Sequence, residues 1–322
     1  MIYYKVCEVF SIRESLLYSG FMIGKISVVI NTYNEEAHIE RAIKSVSWAD
    51  EILVCDMHSE DNTAVLAKKL GAVVFFHKKT GFVEPARNFA ISKASHEWIL
   101  VLDADEEVTD SLQEKLKDII KKNGVVTHVE IPRKNLIFGK WMKAAGWWPD
   151  YNIRFFKKDF VTWSNKIHSK PKTEGQGLTL SAEERFAITH HHYSNMSQFI
   201  ARMNRYTDVQ AREMRNDGYQ FDWKDVIKKP VSEFMSRFFA HRGFEDGLHG
   251  LSLSLLQAFS HLVMMLKVWE ATQFEKKQLG YSEVVDLMKT QGEELHYWFK
   301  YSNLSKNPIK RTLQKIKNKL SK

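Results

Sequence analysis

Cysteine, internal repeats and long uncharged apolar runs are what this chain has least of. Its 322 residues hold two cysteines, Cys7 and Cys55, which argues against a disulfide framework and fits a reducing cytosol. No uncharged apolar run approaches the ~18 residues of a membrane-spanning helix. The opening MIYYKVCEVFSIRESLLYSGFM lacks the basic-then-apolar order of a signal peptide. Neither a span nor a leader is therefore expected. Acids are in deficit: 39 Asp and Glu face 47 Lys and Arg, a net charge of +8. That balance suits anionic partners, whether nucleotides, nucleic acid or acidic lipid headgroups. What is there is an ordinary folded composition, 44% apolar and 27% charged, with a generous nine Trp and twenty Phe.

Strong patterning begins only after Met22, which leaves 1–21 as an N-terminal extension. From Lys25, apolar strands alternate with helices. The strands are ISVVI (26–30), EILVCD (51–56), AVVFFH (72–77) and WILVLD (98–103). The helices are EEAHIERAIKSV (35–46), TAVLAKKLG (63–71), VEPARNFAISKA (83–94) and a fourth over 109–122. This order predicts a doubly wound α/β sheet. Ligands of such sheets sit beyond the carboxyl ends of the strands. Three polar clusters, NTYNEE (31–36), DMHSED (56–61) and DADEE (103–107), each follow a strand end.

After about residue 125 the chain turns aromatic and basic, reading as strand and loop, and from Asn195 it reads as mainly helical. LSLSLLQAFSHLVMMLKVWE (251–270) looks too short and too polar to span a bilayer, and is expected as a buried core helix or a surface helix. KNPIKRTLQKIKNKLSK (306–322) holds seven Lys and Arg and no acid. Its Ile309, Leu313, Ile316 and Leu320 fall at helical spacing, a basic amphipathic tail. The expected divisions are 1–21, 22–195, 196–303 and 304–322.

Asp103-Ala104-Asp105 places two carboxylates one residue apart at a strand end, where alternate side chains point the same way. Both suit a hard divalent cation, Mg²⁺ or Mn²⁺, that shares oxygen ligands with substrate phosphates. Together ISVVINTYNEE, EILVCDMHSEDNT and PARNFAISKASHEWILVLDADEE, in this order over residues 25–110, resemble the nucleotide-binding half of glycosyltransferase family 2. RKNLIFGKWMKAAGWWPDYNIRFFKK, KIHSKP, ITHHHYSN and FIARMNRYTD resemble the branch containing bacterial lipopolysaccharide-core β-1,4-glucosyltransferases. This looser match extends to about residue 270.

The resemblance implies a GT-A fold, with a Rossmann-like nucleotide-binding sheet and a mainly helical C-terminal region. It implies that Thr32, Asn34 and Glu35 meet the nucleoside and that Asp56 accepts the uracil imide N–H. Asp61 matches a second acid of that element or serves as a helix N-cap. Arg87 matches an arginine that holds nucleotide or phosphate oxygens. Asp103 lies near the ribose and Asp105 binds the metal, which offsets the charge growing on a departing diphosphate.

An inverting transfer also needs a base for the acceptor hydroxyl. Asp150 in GWWPD is the candidate, although Pro149 stands where family members often have Glu, and a turn Asp is the plainer reading. Trp147 and Trp148 either stack on an acceptor sugar or fill the core. Of HHH at 190–192, His190 is expected to complete the Asp105 metal site, with His168 as a ligand or acceptor-site alternative.

The resulting expectation is an inverting, Mn²⁺- or Mg²⁺-dependent transfer of a hexose from a UDP-sugar. The acceptor is a lipid-linked or lipopolysaccharide-type glycan, met by a cytoplasmic protein peripheral on the anionic inner face of the cell membrane. No nucleic-acid recognition module accompanies the basic tail. Two alternatives stand beside it: a haloacid-dehalogenase-type phosphatase, whose Asp-x-Asp falls on a first strand rather than a fourth, and a non-catalytic membrane-associated protein keeping the fold.

Overall fold

The first strand shows how the chain is layered. Every residue of β1 (Ile26–Thr32) is buried, as a central parallel strand covered on both faces requires. Its side chains alternate between two apolar layers. Ile26, Val28 and Ile30 join Ile39, Ala42, Leu112 and Leu116, whereas Val29 joins Leu53, Cys55, Ala86 and Ala90. The first layer holds helices α1 (Ile39–Ser45) and α4 (Asp110–Lys121), and the second holds α3 (Glu84–Ser92).

The computed structural model describes residues 24–79, 84–122, 124–164, 170–301, 310 and 312–314. His168, the extension 1–21 and nearly all of the tail 306–322 lie outside them. The chain forms two units, one of Met1–Ile131 and Asn152–Ile188, the other of Pro132–Tyr151 and Thr189–Lys322. These units interleave along the chain. The boundaries fall inside strands, which no composition shift marks.

In the first unit β2 (Glu51–Asp56), β3 (Val73–Phe76) and β4 (Trp98–Asp103) join β1 in the order β3-β2-β1-β4, all parallel. Helix α2 (Thr63–Lys69) connects β2 to β3. After the two-residue β5 (Glu106–Glu107) and α4 come β6 (Val126–Ile137), β7 (Lys140–Trp141) and β8 (Asp150–Lys157). β8 lies antiparallel to β4. Short strands β9 (Val161–Thr162) and β10 (Lys172–Thr173) pair with each other, and β11 (Gln176–Thr179) lies parallel to β6. The expected Rossmann-like sheet is therefore present, with an antiparallel strand added at its side.

In the second unit the end of β6 folds back on β7, pairing Leu136 with Trp141 and Ile137 with Lys140. Phe138 and Gly139 make the reversal at φ 51° and 78°, and glycine takes the second of these left-handed positions without steric cost. β12 (Ile188–Tyr193) ends in this unit, and the long helices that follow among the described residues are α5 (Met196–Asn216), α6 (Asp225–Met235), α7 (Leu248–Glu270) and α8 (Tyr281–Tyr301). Asn195 caps α5, its Oδ1 accepting the Gln198 N–H at 2.9 Å. Ile137, Met142, Tyr193, Phe199, Met203 and Leu253 form one core cluster of this unit, and Ala211, Met265 and Val268 another.

One sequence expectation needs correction here. α7 begins three residues before the segment judged too short, and at 23 residues it is long and apolar enough by length and composition to cross a membrane. It also differs from a core helix, because only one stripe of it is buried: Leu253, Ala258, Met265 and Val268 are covered, whereas Leu255 and Phe259 are exposed.

Candidate active site

Parallel register makes the carboxyl ends of β1, β2 and β4 level. Thr32 pairs with Asp56, and Asn31 with Asp103. Asp56 is fully buried, and its two oxygens accept the Ser59 N–H at 2.7 Å and the Ser59 hydroxyl at 2.6 Å. Asn34 takes a left-handed φ of 54°. Its N–H donates to Ser59 Oγ at 2.9 Å and its Oδ1 accepts from the Glu60 N–H at 2.8 Å. The loops after β1 and β2 are thus tied together by two of the expected nucleoside residues.

Glu35 extends the tie, its N–H donating to Thr63 Oγ1 at 2.8 Å. Its carboxylate hydrogen-bonds His38 Nδ1 at 2.7 Å, which raises the His38 pKa. Asp61 accepts the N–H and the hydroxyl of Thr63 and the N–H of Glu36. Burial pushes the Asp61 carboxyl up, but those hydrogen bonds outweigh it and hold the group below its usual range. The Thr63 bonds are local, as in a helix-start motif, whereas the Glu36 bond joins the loop after β2 to the loop after β1.

Two polar side chains at this strand end have no hydrogen-bond partner among the described residues. Both amide atoms of Asn31 and the hydroxyl of Thr32 are buried without a hydrogen bond, on residues 4% and 2% exposed. Buried polar groups are nearly always satisfied, so this pair has the character of a ligand contact.

Beside them Asp103 carries two cations. Arg87 Nη2 on α3 reaches its oxygens at 2.9 and 3.2 Å, and Arg154 Nη2 on β8 reaches it at 2.7 Å. The same Arg154 nitrogen donates to the fully buried Glu106 at 2.8 Å, and the other Glu106 oxygen accepts the Asp103 N–H at 2.9 Å. Glu107 pairs with Arg41 at 2.7 Å. Asp105 lies buried in the turn between β4 and β5 and contributes to the raised pKa of His38. Three of the crowded acids of DADEE, Asp103, Glu106 and Glu107, are therefore divided among three arginines.

Within the second unit, Asp150 opens β8. Its Oδ2 accepts from Arg133 Nε at 2.8 Å, Arg133 Nη2 at 2.7 Å and Asn135 Nδ2 at 3.1 Å. Burial raises the Asp150 carboxyl, yet the Arg133 charge, the Asn135 and Arg133 hydrogen bonds and nearby His190 together hold it below its ordinary value. Asn135 Nδ2 also donates to the Trp147 carbonyl at 3.0 Å, and its Oδ1 meets His190 Nδ1 at 2.7 Å. His190 Nε2 in turn lies 3.1 Å from His192 Nδ1. Asp150, Asn135, His190 and His192 thus form one hydrogen-bonded chain, in which both ring nitrogens of His190 have protein partners.

The two tryptophans separate. Trp147 packs against the second unit's core beneath Arg237, whose guanidinium lies 5.4 Å from the ring. Trp148 meets Trp141 edge-on at 5.1 Å.

For a divalent cation the fit is partial but chemically sound. Among the described residues no three His, Cys, Asp or Glu side chains are grouped as metal ligands. Mg²⁺-type ions are commonly held by one or two carboxylates, with substrate phosphates and water completing the shell. Asp105 suits that role.

Asn31, Arg133, Asn135 and Arg154 escaped the sequence reading. Arg154 left one signal, a lone cation inside the apolar strand segment YNIRFF.

Comparison with known proteins agrees with this geometry. The family model described as glycosyl transferase family 2 matches residues 27–173. An uncharacterized glycosyltransferase of Rickettsia bellii is 31% identical over 264 residues, spanning 78% of this chain and 88% of the relative. The lipopolysaccharide core biosynthesis glycosyltransferase LpsC of Rhizobium meliloti is 22% identical over 257 residues, 77% of this chain and 94% of that one. Among solved structures, S. aureus TarS 1-349 in complex with UDP overlaps 80% of this chain and 94% of its own at 16% identity, with a TM-score of 0.39, too low to bear on the chemistry. The sheet, the strand-end cluster and the family match agree: the chain belongs to glycosyltransferase family 2.

Proposed function

We propose that this glycosyltransferase moves a hexose, with inversion, from a UDP-sugar to a lipid-linked or lipopolysaccharide-type acceptor. The observation that carries the donor side is the unsatisfied strand end, where the Asn31 amide and Thr32 hydroxyl lie buried and unpartnered in register with Asp103 and Asp56. A nucleoside offers the donors and acceptors those groups lack. Arg87 and Arg154 fix the Asp103 carboxylate, which then presents a rigid acceptor to ribose hydroxyls. Asp105 and the donor diphosphate would hold a divalent cation, which would supply charge neutralisation at the leaving group. Asp150, kept ionised by Arg133, takes the proton of the acceptor hydroxyl.

The lipopolysaccharide-type acceptor rests on likeness to LpsC, and attachment to the anionic inner face of the cell membrane rests on the chain's basic balance. Family membership removes the phosphatase alternative, and the intact strand-end acids speak against a non-catalytic one.

The test is a donor screen. Purified protein with Mn²⁺, with Mg²⁺ or with EDTA is incubated with UDP-hexoses, UDP-N-acetylhexosamines and GDP- and dTDP-sugars, and released nucleotide is measured. Release from a UDP-sugar that EDTA suppresses is expected. Release confined to another nucleotide would refute the donor assignment, and release indifferent to EDTA would refute the cation.

A further inference from the structure

α7 is apolar on the side that packs and apolar on the side that does not. Its inward stripe rests on α5 and α6. On its outward side Leu248, Leu255, Phe259 and Leu266 are 75%, 52%, 48% and 39% exposed. These four span 18 residues, five turns at 3.6 residues each, so the stripe runs straight along the helix for about 27 Å. Only Lys267 and Glu270 are charged within the helix, and Lys267 turns inward to Asp208 at 2.6 Å.

The end of the stripe is built differently from its length. Trp269 packs edge-on against Phe274 at 5.1 Å, and Phe274 is 54% exposed in a turn where it and Gln273 hold positive φ. Glu275, Lys276 and Lys277 follow, all exposed. An apolar helix face bordered by aromatic rings and then by lysines is the order met at a membrane interface, where rings sit at headgroup depth and ammonium groups reach lipid phosphates. The charge agrees: the chain's basic excess lies wholly in this unit, since the other carries more acids than bases. A second copy is the poorer occupant. A supercoiled helix pair wants a 3.5-residue repeat flanked by charges, and this stripe keeps the straight 3.6 period with no flanking charge.

We infer that the outward face of α7 is the lipid-contacting surface, lying in the plane of an anionic bilayer with its apolar stripe at the acyl boundary and Lys276 and Lys277 on the headgroups. The inference rests on the membrane-face reading proposed above and deepens it by naming the face, with the tail 306–322 as a separate electrostatic contact.

The experiment is co-sedimentation of the full chain with vesicles of phosphatidylcholine alone or with one-third phosphatidylglycerol. Wild type is expected to bind the anionic vesicles. The double variant Leu255→Glu/Phe259→Glu should bind at least tenfold more weakly although its tail is intact, while its circular dichroism and its nucleotide release from donor stay at wild-type levels. Leu248→Glu, at the exposed first residue of the helix, should weaken binding in the same direction and guards against misfolding of the double variant. Undiminished binding by both variants overturns the assignment; if removal of 306–322 then abolishes binding, the membrane reading survives and only the face is wrong. No binding by wild type overturns both. A wild-type dimer in lipid-free solution that the double variant converts to monomer identifies a second copy as the occupant, and the lipid face falls.

Discussion

One nitrogen of Arg154 holds both Asp103 and Glu106, at 2.7 and 2.8 Å. Arg154 and Glu106 are both nearly inaccessible, at 2% and 0% exposed, so neither charge has water to fall back on. Removing one partner of a buried pair leaves the other uncompensated, at a cost of roughly 3–5 kcal/mol. Arg154→Met should therefore lower stability by about that amount in denaturant unfolding. Glu106→Gln combined with Arg154→Met should recover much of the loss, because no charge is then stranded. Equal instability of the single and double variants would show that shape rather than charge sets the cost.

Asp105 has a different predicted role from its neighbours. Asp103, Glu106 and Glu107 each meet an arginine, and their loss should be felt in the fold. Asp105→Ala should abolish cation-stimulated nucleotide release while the protein stays folded. Unchanged turnover in a folded Asp105→Ala protein removes the metal assignment.

The sheet was legible because its evidence is local. Runs such as ISVVI and WILVLD are continuous and apolar, and the acids that follow them mark the strand ends directly. The site was legible only in part. Arg87, Asp103 and Asp105 lie in motifs whose spacing is fixed by one strand or one helix, whereas Arg154 meets Asp103 across 51 residues and Asn135 meets His190 across 55. Such pairings arise from sheet register, which short-range patterning does not report. Asp61 is a mixed case: its bonds to Thr63 reach only two residues along the chain, whereas its bond from the Glu36 N–H spans 25. The unit boundaries were hidden for a related reason: β6, β8 and β12 each begin in one unit and end in the other.

Asn31 offers a test that separates fold from ligand. Its amide is buried with no partner among the described residues, so replacing it by a similarly sized apolar residue removes an unsatisfied group rather than a bond. Asn31→Leu should be neutral or stabilising by up to about 1 kcal/mol in thermal unfolding of the free protein. The same variant should bind UDP about tenfold more weakly, as read by titration calorimetry, since one hydrogen bond is worth roughly that factor. A destabilised variant with unaltered UDP affinity would place Asn31 among purely structural residues.

Asp150 ties the chemistry to pH. Burial raises its pKa, but Arg133, Asn135 and His190 together lower it below the ordinary carboxylate value. A carboxyl lowered by folding contributes stability that is present above its unfolded pKa and is lost as pH falls through the lower, folded one. The same sign governs catalysis: a base must be unprotonated, so the acid limb of the turnover profile should lie below the usual carboxylate range in wild type. Arg133→Gln removes the principal cation and leaves burial less opposed, so the acid limb should move upward. At neutral pH its turnover should suffer less than that of Asp150→Asn, which has no base at any pH and should fall by about 10²–10⁴-fold. The measurement is nucleotide release with acceptor present across the acid range for both variants. An acid limb that stays fixed in Arg133→Gln would mean that the titrating group is not Asp150.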